Sequence, residues 1–177
     1  MLFGIWGRVG WGYNFFMLLK LPLILETRRN HALEHATLHV MAQTHPISMA
    51  GHSNPTGFFI LADISTEDLA AAATQAWTRL NAGESHLAIH PGCGTNLATT
   101  VGLASTFAWL PLRGRKSTLT RLALVPFALL FAALGFAAAR QLGPALQQHI
   151  TTEANLGEMK ITEIRFIRKG MHRVITK

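Results

Sequence analysis

The residues best equipped for chemistry are Asn30-His31-Ala32-Leu33-Glu34-His35-Ala36, which spell H-x-x-E-H. On a helix over residues 30–44, His31 and His35 stand one turn apart on the same face. Two imidazoles so placed can converge on one divalent ion, zinc or another transition metal. Glu34 lies on the neighbouring part of that face, where a carboxylate can activate water or orient a ligand. Leu33, Ala36 and Val40 fall on the opposite side and give the helix its packing surface.

A second donor set follows some sixty positions later (roughly, along the chain), in His90-Pro91-Gly92-Cys93-Gly94-Thr95-Asn96. This segment reads as a tight Gly/Pro turn that opens a helix, with Thr95 or Asn96 as its cap. A thiol at a helix start has its thiolate favoured, which suits ligation or nucleophilic chemistry. His31, His35, His90 and Cys93 together could complete a tetrahedral site. Four protein ligands make a closed, structural ion; three leave room for a water, with Glu34 as its base. The spacing does not choose between them. His39, one further turn along the helix, and His86 and Glu84, just before the second segment, are the candidates for holding the ligands in place. A Cys93–His thiol dyad is a minor alternative without an evident third partner. His45, His52, His149 and His172 read as ordinary surface residues.

H-x-x-E-H is the reversed zincin order and resembles that of the inverzincin peptidases, in which the histidines are ligands and the Glu the general base. The likeness ends with the motif, because those enzymes take a further Glu well downstream. Here Glu84 is the only acid between Asp68 and Glu153. HALEHATLHV, then GESHLAIHPGCGTN, then two apolar stretches, resembles an uncharacterised membrane family of cyanobacteria and Chloroflexota known only as a domain of unknown function. It is also similar to a wider bacterial membrane family with H-G-A-E-H and H-P-R-C-G-T, proposed to be metal-dependent enzymes. The likeness covers about residues 28 to 112 and implies a metal site on His31, Glu34, His35, His90 and Cys93. Gly92 stands where the wider family has a cation, and Ala32-Leu33 replaces its small pair.

The elements that must position these groups are legible in outline. The chain has 177 residues, 14% charged, with a formal net charge of +7, and its mean hydropathy is positive at +0.25. One cysteine excludes an internal disulfide framework. The basic clusters at 113–121 and 160–177 lack interleaved aromatics, so anionic lipid headgroups fit the charge better than nucleic acid. Residues 1–27, apolar and aromatic but broken by glycines, read as an interfacial membrane anchor rather than a cleaved signal. Residues 28–93 form the metal-binding domain: the His helix stopped at His45-Pro46, strands at 47–52 and 57–64 around a Ser53–Gly57 turn, and a helix from Ser65 to Asn81 closed by Gly83. His86 to His90 alternates like a further strand.

Residues 94–140 read as a two-helix transmembrane hairpin, the second run being the longer, with small faces at Ala98, Gly102 and Thr106 and at Ala128, Ala132, Gly135 and Ala139. A buried globular hairpin is the alternative. Residues 141–177 end in a β-hairpin, 159–168 and 171–176, which joins the sheet. The expected fold class is therefore α+β, a small mixed or antiparallel sheet with two helices, fused to a transmembrane hairpin in the cell membrane. The loop Arg113–Lys116 and the basic tail pull in opposite directions on sidedness. Two functions suit this plan: a membrane-anchored, metal-dependent hydrolase of a peptide or lipid-derived bond, or a non-catalytic accessory or assembly subunit of a larger membrane complex, stapled by zinc. A lipid- or pigment-binding scaffold has little support, since the long apolar run carries no axial histidine.

Overall fold

The computed structural model describes residues 16–177. The chain forms two units, one of residues up to Ala88 together with Thr152–Lys177, the other of Ile89–Thr151. The expected anchor over residues 1–27 lies outside the described residues as far as residue 15.

The first unit is built on α1, Pro22–Thr44. It starts earlier than the motif's periodicity suggests, because Pro22 sits in the first turn, where its missing N–H costs nothing, and good helix formers follow. His45-Pro46 ends it, since the residue before a proline is pushed out of the helical region. The helix buries Ala32, Leu33, Ala36, Val40 and Met41. These pack on Phe58, Ile60 and Val174 from the sheet and on Leu69, Ala76 and Leu80 from a second helix.

That sheet has four antiparallel strands in the order β1-β2-β4-β3: β1 Ala50–Asn54, β2 Gly57–Leu61, β3 Ile161–Arg168 and β4 Met171–Thr176. β1 and β2 are joined through Pro55 and Thr56 alone, so Ser53 and Asn54 belong to the ladder rather than to the expected turn. The Asn54 side chain accepts the Thr56 N–H at 3.0 Å, and Gly57 takes a φ of 134° that a side chain would resist. The second helix, α2 at Thr66–Asn81, begins at Ser65, whose hydroxyl oxygen accepts the Asp68 N–H at 3.0 Å. Gly83, at φ 96°, closes it.

The strand expected over 86–90 is instead a 3-10 turn, Ser85–Ala88. A period of two over five residues is weak, and it loses to the local bonds: the Leu87 N–H donates to Glu84 O at 3.1 Å, and Leu87 and Ala88 are buried consecutively rather than alternately. The place beside β2 is taken by β4. The class is nonetheless α+β, with the helices packed on one face of an antiparallel sheet.

Two buried polar side chains on α1 tie the unit together. Asn30 is fully buried; its Nδ2 donates to Asn54 O at 3.0 Å and Pro55 O at 3.2 Å, while its Oδ1 accepts from Thr176 Oγ1 at 2.7 Å. Arg28 donates from Nη2 to Thr152 O at 2.9 Å and pairs with Glu153, fixing the returning chain.

The second unit contains α3, Gly94–Trp109; α4, Thr118–Ala123; and α5, Val125–Leu146, prolonged by a π-turn through Thr151. Within it α3 and α5 pack closely. A Cβ on Gly135 would lie 2.7 Å from Leu103 O, and one on Gly143 would overlap Asn96. The expected small face of α5 is observed at Ala128, Gly135 and Ala139. That of α3 is not: Ala98, Gly102 and Thr106 face outward, and Leu103, Ala104 and Phe107 turn toward the partner helix. Gln147 Nε2 donates to Asn96 Oδ1 at 2.7 Å, which sets the rotation of α3 and puts 103 and 107 on the inner side.

Val125–Thr151 is the single described helix long and apolar enough to cross a membrane. α3 has 16 residues, about 24 Å of rise against roughly 30 Å of hydrocarbon, so only one of the two expected spans has the length. Phe127, Leu129, Leu130, Leu134 and Phe136 on α5 are all more than half exposed, the reverse of a soluble core helix.

Candidate metal centre

On α1, His31 and His35 are brought together as their spacing requires, with ring centroids 4.3 Å apart. His35 is 1% exposed, and its Nδ1 lies 2.7 Å from Ala88 O. A carbonyl can only accept, so Nδ1 carries the proton and Nε2 keeps its lone pair. A backbone carbonyl holding the far nitrogen in this way is the usual support of a ligating imidazole.

Glu34, 4% exposed, is turned onto β1. One oxygen accepts the Ser53 hydroxyl, and the other lies against Gly51, where an added Cβ would come within 2.3 Å of Oε1. Gly51 and Ser53 thus form a seat for the carboxylate. Sequence reasoning missed both, reading Ser53 as a turn residue. The signal was present in the small-large-small order Gly51-His52-Ser53, which places two small residues on one face of a strand.

In the second unit, Cys93 caps α3. Its sulfur accepts the Thr95 N–H at 3.4 Å, and the residue is 8% exposed. The helix begins at Gly94, so the cap is Cys93 and not Thr95 or Asn96, and the partial positive charge of the helix start faces the sulfur. His90 is held by its own turn: its N–H donates to Gln147 Oε1 at 2.9 Å, and its Nδ1 accepts the Gly92 N–H at 3.1 Å. That acceptance places the ring proton on Nε2, so the neutral ring offers a donor there rather than a lone pair.

Within the first unit, His31 and His35 are the pair whose rings could share a metal ion. His90 and Cys93, the other two donors expected from sequence, belong to the second unit. His39 is half-buried one turn further along α1, and His86 is exposed on the 3-10 turn and shares no strand face with His90. Glu84 makes a two-pronged pair with Arg79, with Oε2 2.5 Å from Nη2; the guanidinium holds its carboxyl below the usual carboxylate range and is itself raised in return. His172, expected at the surface, is 1% exposed under α2, with Nε2 3.2 Å from Thr66 Oγ1, because β4 is a central strand rather than an outer one.

Two imidazoles one helical turn apart suit a borderline-soft divalent ion such as zinc.

A family model described as Domain of unknown function (DUF6391) matches residues 26–164, and the chain belongs to that family. An uncharacterized protein of Picosynechococcus sp. is 38% identical over 143 residues, covering 73% of this chain and 67% of the relative. No solved structure matches it.

Proposed function

We propose that this family member is a membrane-anchored zinc protein acting as a metal-dependent hydrolase, with His31, His35 and Cys93 as ligands and Glu34 as general base. The observation that carries the reading is the His35 Nδ1–Ala88 O bond, which presents Nε2 beside the His31 ring. It also bears on the third ligand. Cys93 follows Ala88 by five residues, a tether of at most about 17 Å.

When bound, zinc supplies Lewis acidity at the substrate carbonyl and lowers the pKa of water. Glu34 takes the proton from the attacking water and later returns it to the leaving group. Ser53 and Gly51 keep that carboxylate in one orientation. The apolar α5 embeds the protein in the cell membrane, where anionic lipids complement its net positive charge.

Metal content and coordination number, measured on the wild type, His31→Ala, Cys93→Ser and Glu34→Gln, test this. The expected result is about one zinc per chain with three protein ligands, metal loss in the first two variants, and metal without hydrolysis in Glu34→Gln. A Glu34→Gln protein that keeps both metal and hydrolysis removes the catalytic reading. The burial of His35 and Cys93 favours a second reading, a structural zinc in an accessory subunit of a larger membrane complex. Four protein ligands and a co-purifying partner in mild detergent would decide for it.

A further inference from the structure

We infer that the open edge of β1 takes up substrate as an added strand, so that the substrate of the proposed hydrolase is an extended polypeptide. The inference rests on the reading of Glu34 as its base.

β1 is an outer strand of the sheet, and its pairing fixes which of its backbone groups are available. Asn54 and Gly57 are partners across a two-residue loop, which makes them a hydrogen-bonded pair. By alternation His52↔Phe59 and Ala50↔Leu61 are hydrogen-bonded as well. The same parity continues across β2, where Phe58↔Val174 and Ile60↔His172 face β4, and the Thr176 N–H donates to Thr56 O in step at 3.2 Å. Gly51 and Ser53 therefore turn their N–H and C=O groups away from β2. Among the described residues, no backbone group takes them.

Unmet groups on a strand edge are a template for another extended chain. The two edges of this sheet differ in how they are guarded. β3 carries two register shifts and the exposed cations Arg165 and Arg168, features that blunt an edge. β1 has no irregularity in its pairing and no lysine, arginine or proline.

The unguarded edge is also the one that holds the base. The two residues whose amides point outward, Gly51 and Ser53, are the two that seat the Glu34 carboxylate through their helix-facing side. A chain hydrogen-bonded to both runs past that carboxylate in fixed register. A lipid ester has no repeat of donors and acceptors to match two alternate strand residues. A polypeptide has one. In the step itself, the oxygen of water bonds to the amide carbon as Glu34 takes the water's proton. The C–N bond then breaks, and that proton passes to the departing amine nitrogen.

The test uses the full chain, zinc-loaded in nanodiscs, and three probes: acetohydroxamate, a tripeptide hydroxamate, and the same tripeptide with its backbone nitrogens methylated. The tripeptide hydroxamate is expected to bind at least about tenfold tighter than acetohydroxamate, and methylation to erase that gain. Amide exchange at residues 51–53 should slow with the unmethylated probe alone. If acetohydroxamate binds but the methylated and unmethylated tripeptides bind equally well, strand addition is overturned and the metal site stands. If the protein takes up neither zinc nor acetohydroxamate, the proposed function is overturned and the inference with it.

Discussion

The substitution Gly51→Ala probes the Glu34 seat with a single methyl group. Gly51 has no positive φ, so alanine suits its backbone, and the exchange by itself is worth about 0.5–1 kcal/mol in favour of the variant. Against that stands a Cβ placed 2.3 Å from Glu34 Oε1, 2.4 Å from Cδ and 2.6 Å from Cγ. Three atoms of one buried side chain are displaced, and the carboxylate must leave Ser53. Overpacking costs about 1–3 kcal/mol, and stranding a buried hydrogen-bonding group about 1–3 more. The net is a loss of about 2–4 kcal/mol, or roughly 4–15 °C in Tm for a chain of this size. Thermal unfolding in nanodiscs, followed by circular dichroism, reads it directly. The double variant Gly51→Ala/Glu34→Ala isolates the cause: with the carboxylate removed, the methyl group has space, and the double variant should be more stable than the sum of the single losses predicts. Additive losses, or a Gly51→Ala protein as stable as the wild type, would refute the placement of the carboxylate on β1.

Asn30→Ala removes three hydrogen bonds of a fully buried side chain at once and should cost about 2–4 kcal/mol in the same melt, more than any single hydroxyl deletion in the unit. Gly135→Val, which drives a side chain into the Leu103 carbonyl, should separate α3 from α5 and expose the loop between them to proteolysis, with little effect on exchange in the strands. Chelation of bound zinc should lower the Tm of the wild type and leave that of His31→Ala unchanged. Arg79 holds the Glu84 carboxyl below its ordinary range, so the pair's contribution is present above the unfolded carboxylate pKa and is lost as pH falls through the depressed folded value. The pair is exposed, so the readout is the Glu84 titration by NMR, which should return to the ordinary carboxylate range in Arg79→Met.

What could be read from the sequence follows the strength of each local signal. The Ser65 cap, the α2 periodicity and the Lys169-Gly170 hairpin were legible because each is set by residues within a few positions of one another. So was the apolar face of α1. The Ser85–Ala88 turn was not, because the competing signal came from Glu84 and from the carbonyl of Ala88 reaching His35, a partner far back in the chain. The rotation of α3 was hidden for a similar reason. Small residues occur on two of its faces, and the Asn96–Gln147 bond that chooses between them joins residues fifty-one positions apart. On α1, helical spacing was enough to bring His31 and His35 together. The hydrogen bond that sets the His90 tautomer, and the seat of Glu34, depend on packing that no short window contains.

The seat of Glu34 also explains why Asn30 stands immediately before the first histidine. A strand slipped by one residue would present its opposite face, bringing His52 against α1 in place of Gly51 and Ser53 and leaving the carboxylate no space. Something must therefore index β1 against the helix. Asn30 does so, because its amide grips Asn54 O and Pro55 O at the hairpin loop and Thr176 at the end of β4. Arg173 grips the same loop from the other face of the sheet, donating to Asn54 Oδ1 at 2.7 Å and Thr56 Oγ1 at 2.9 Å while stacked on Phe59; burial lowers its pKa. With the loop held from both sides, Ser53 and Gly51 fall one and three residues back from Asn54, opposite a carboxylate one helical turn beyond Asn30. A single asparagine thus converts the register of a hairpin into the position of the Glu34 carboxylate, which is the physical reason that β1 and the H-x-x-E-H helix pack in one register.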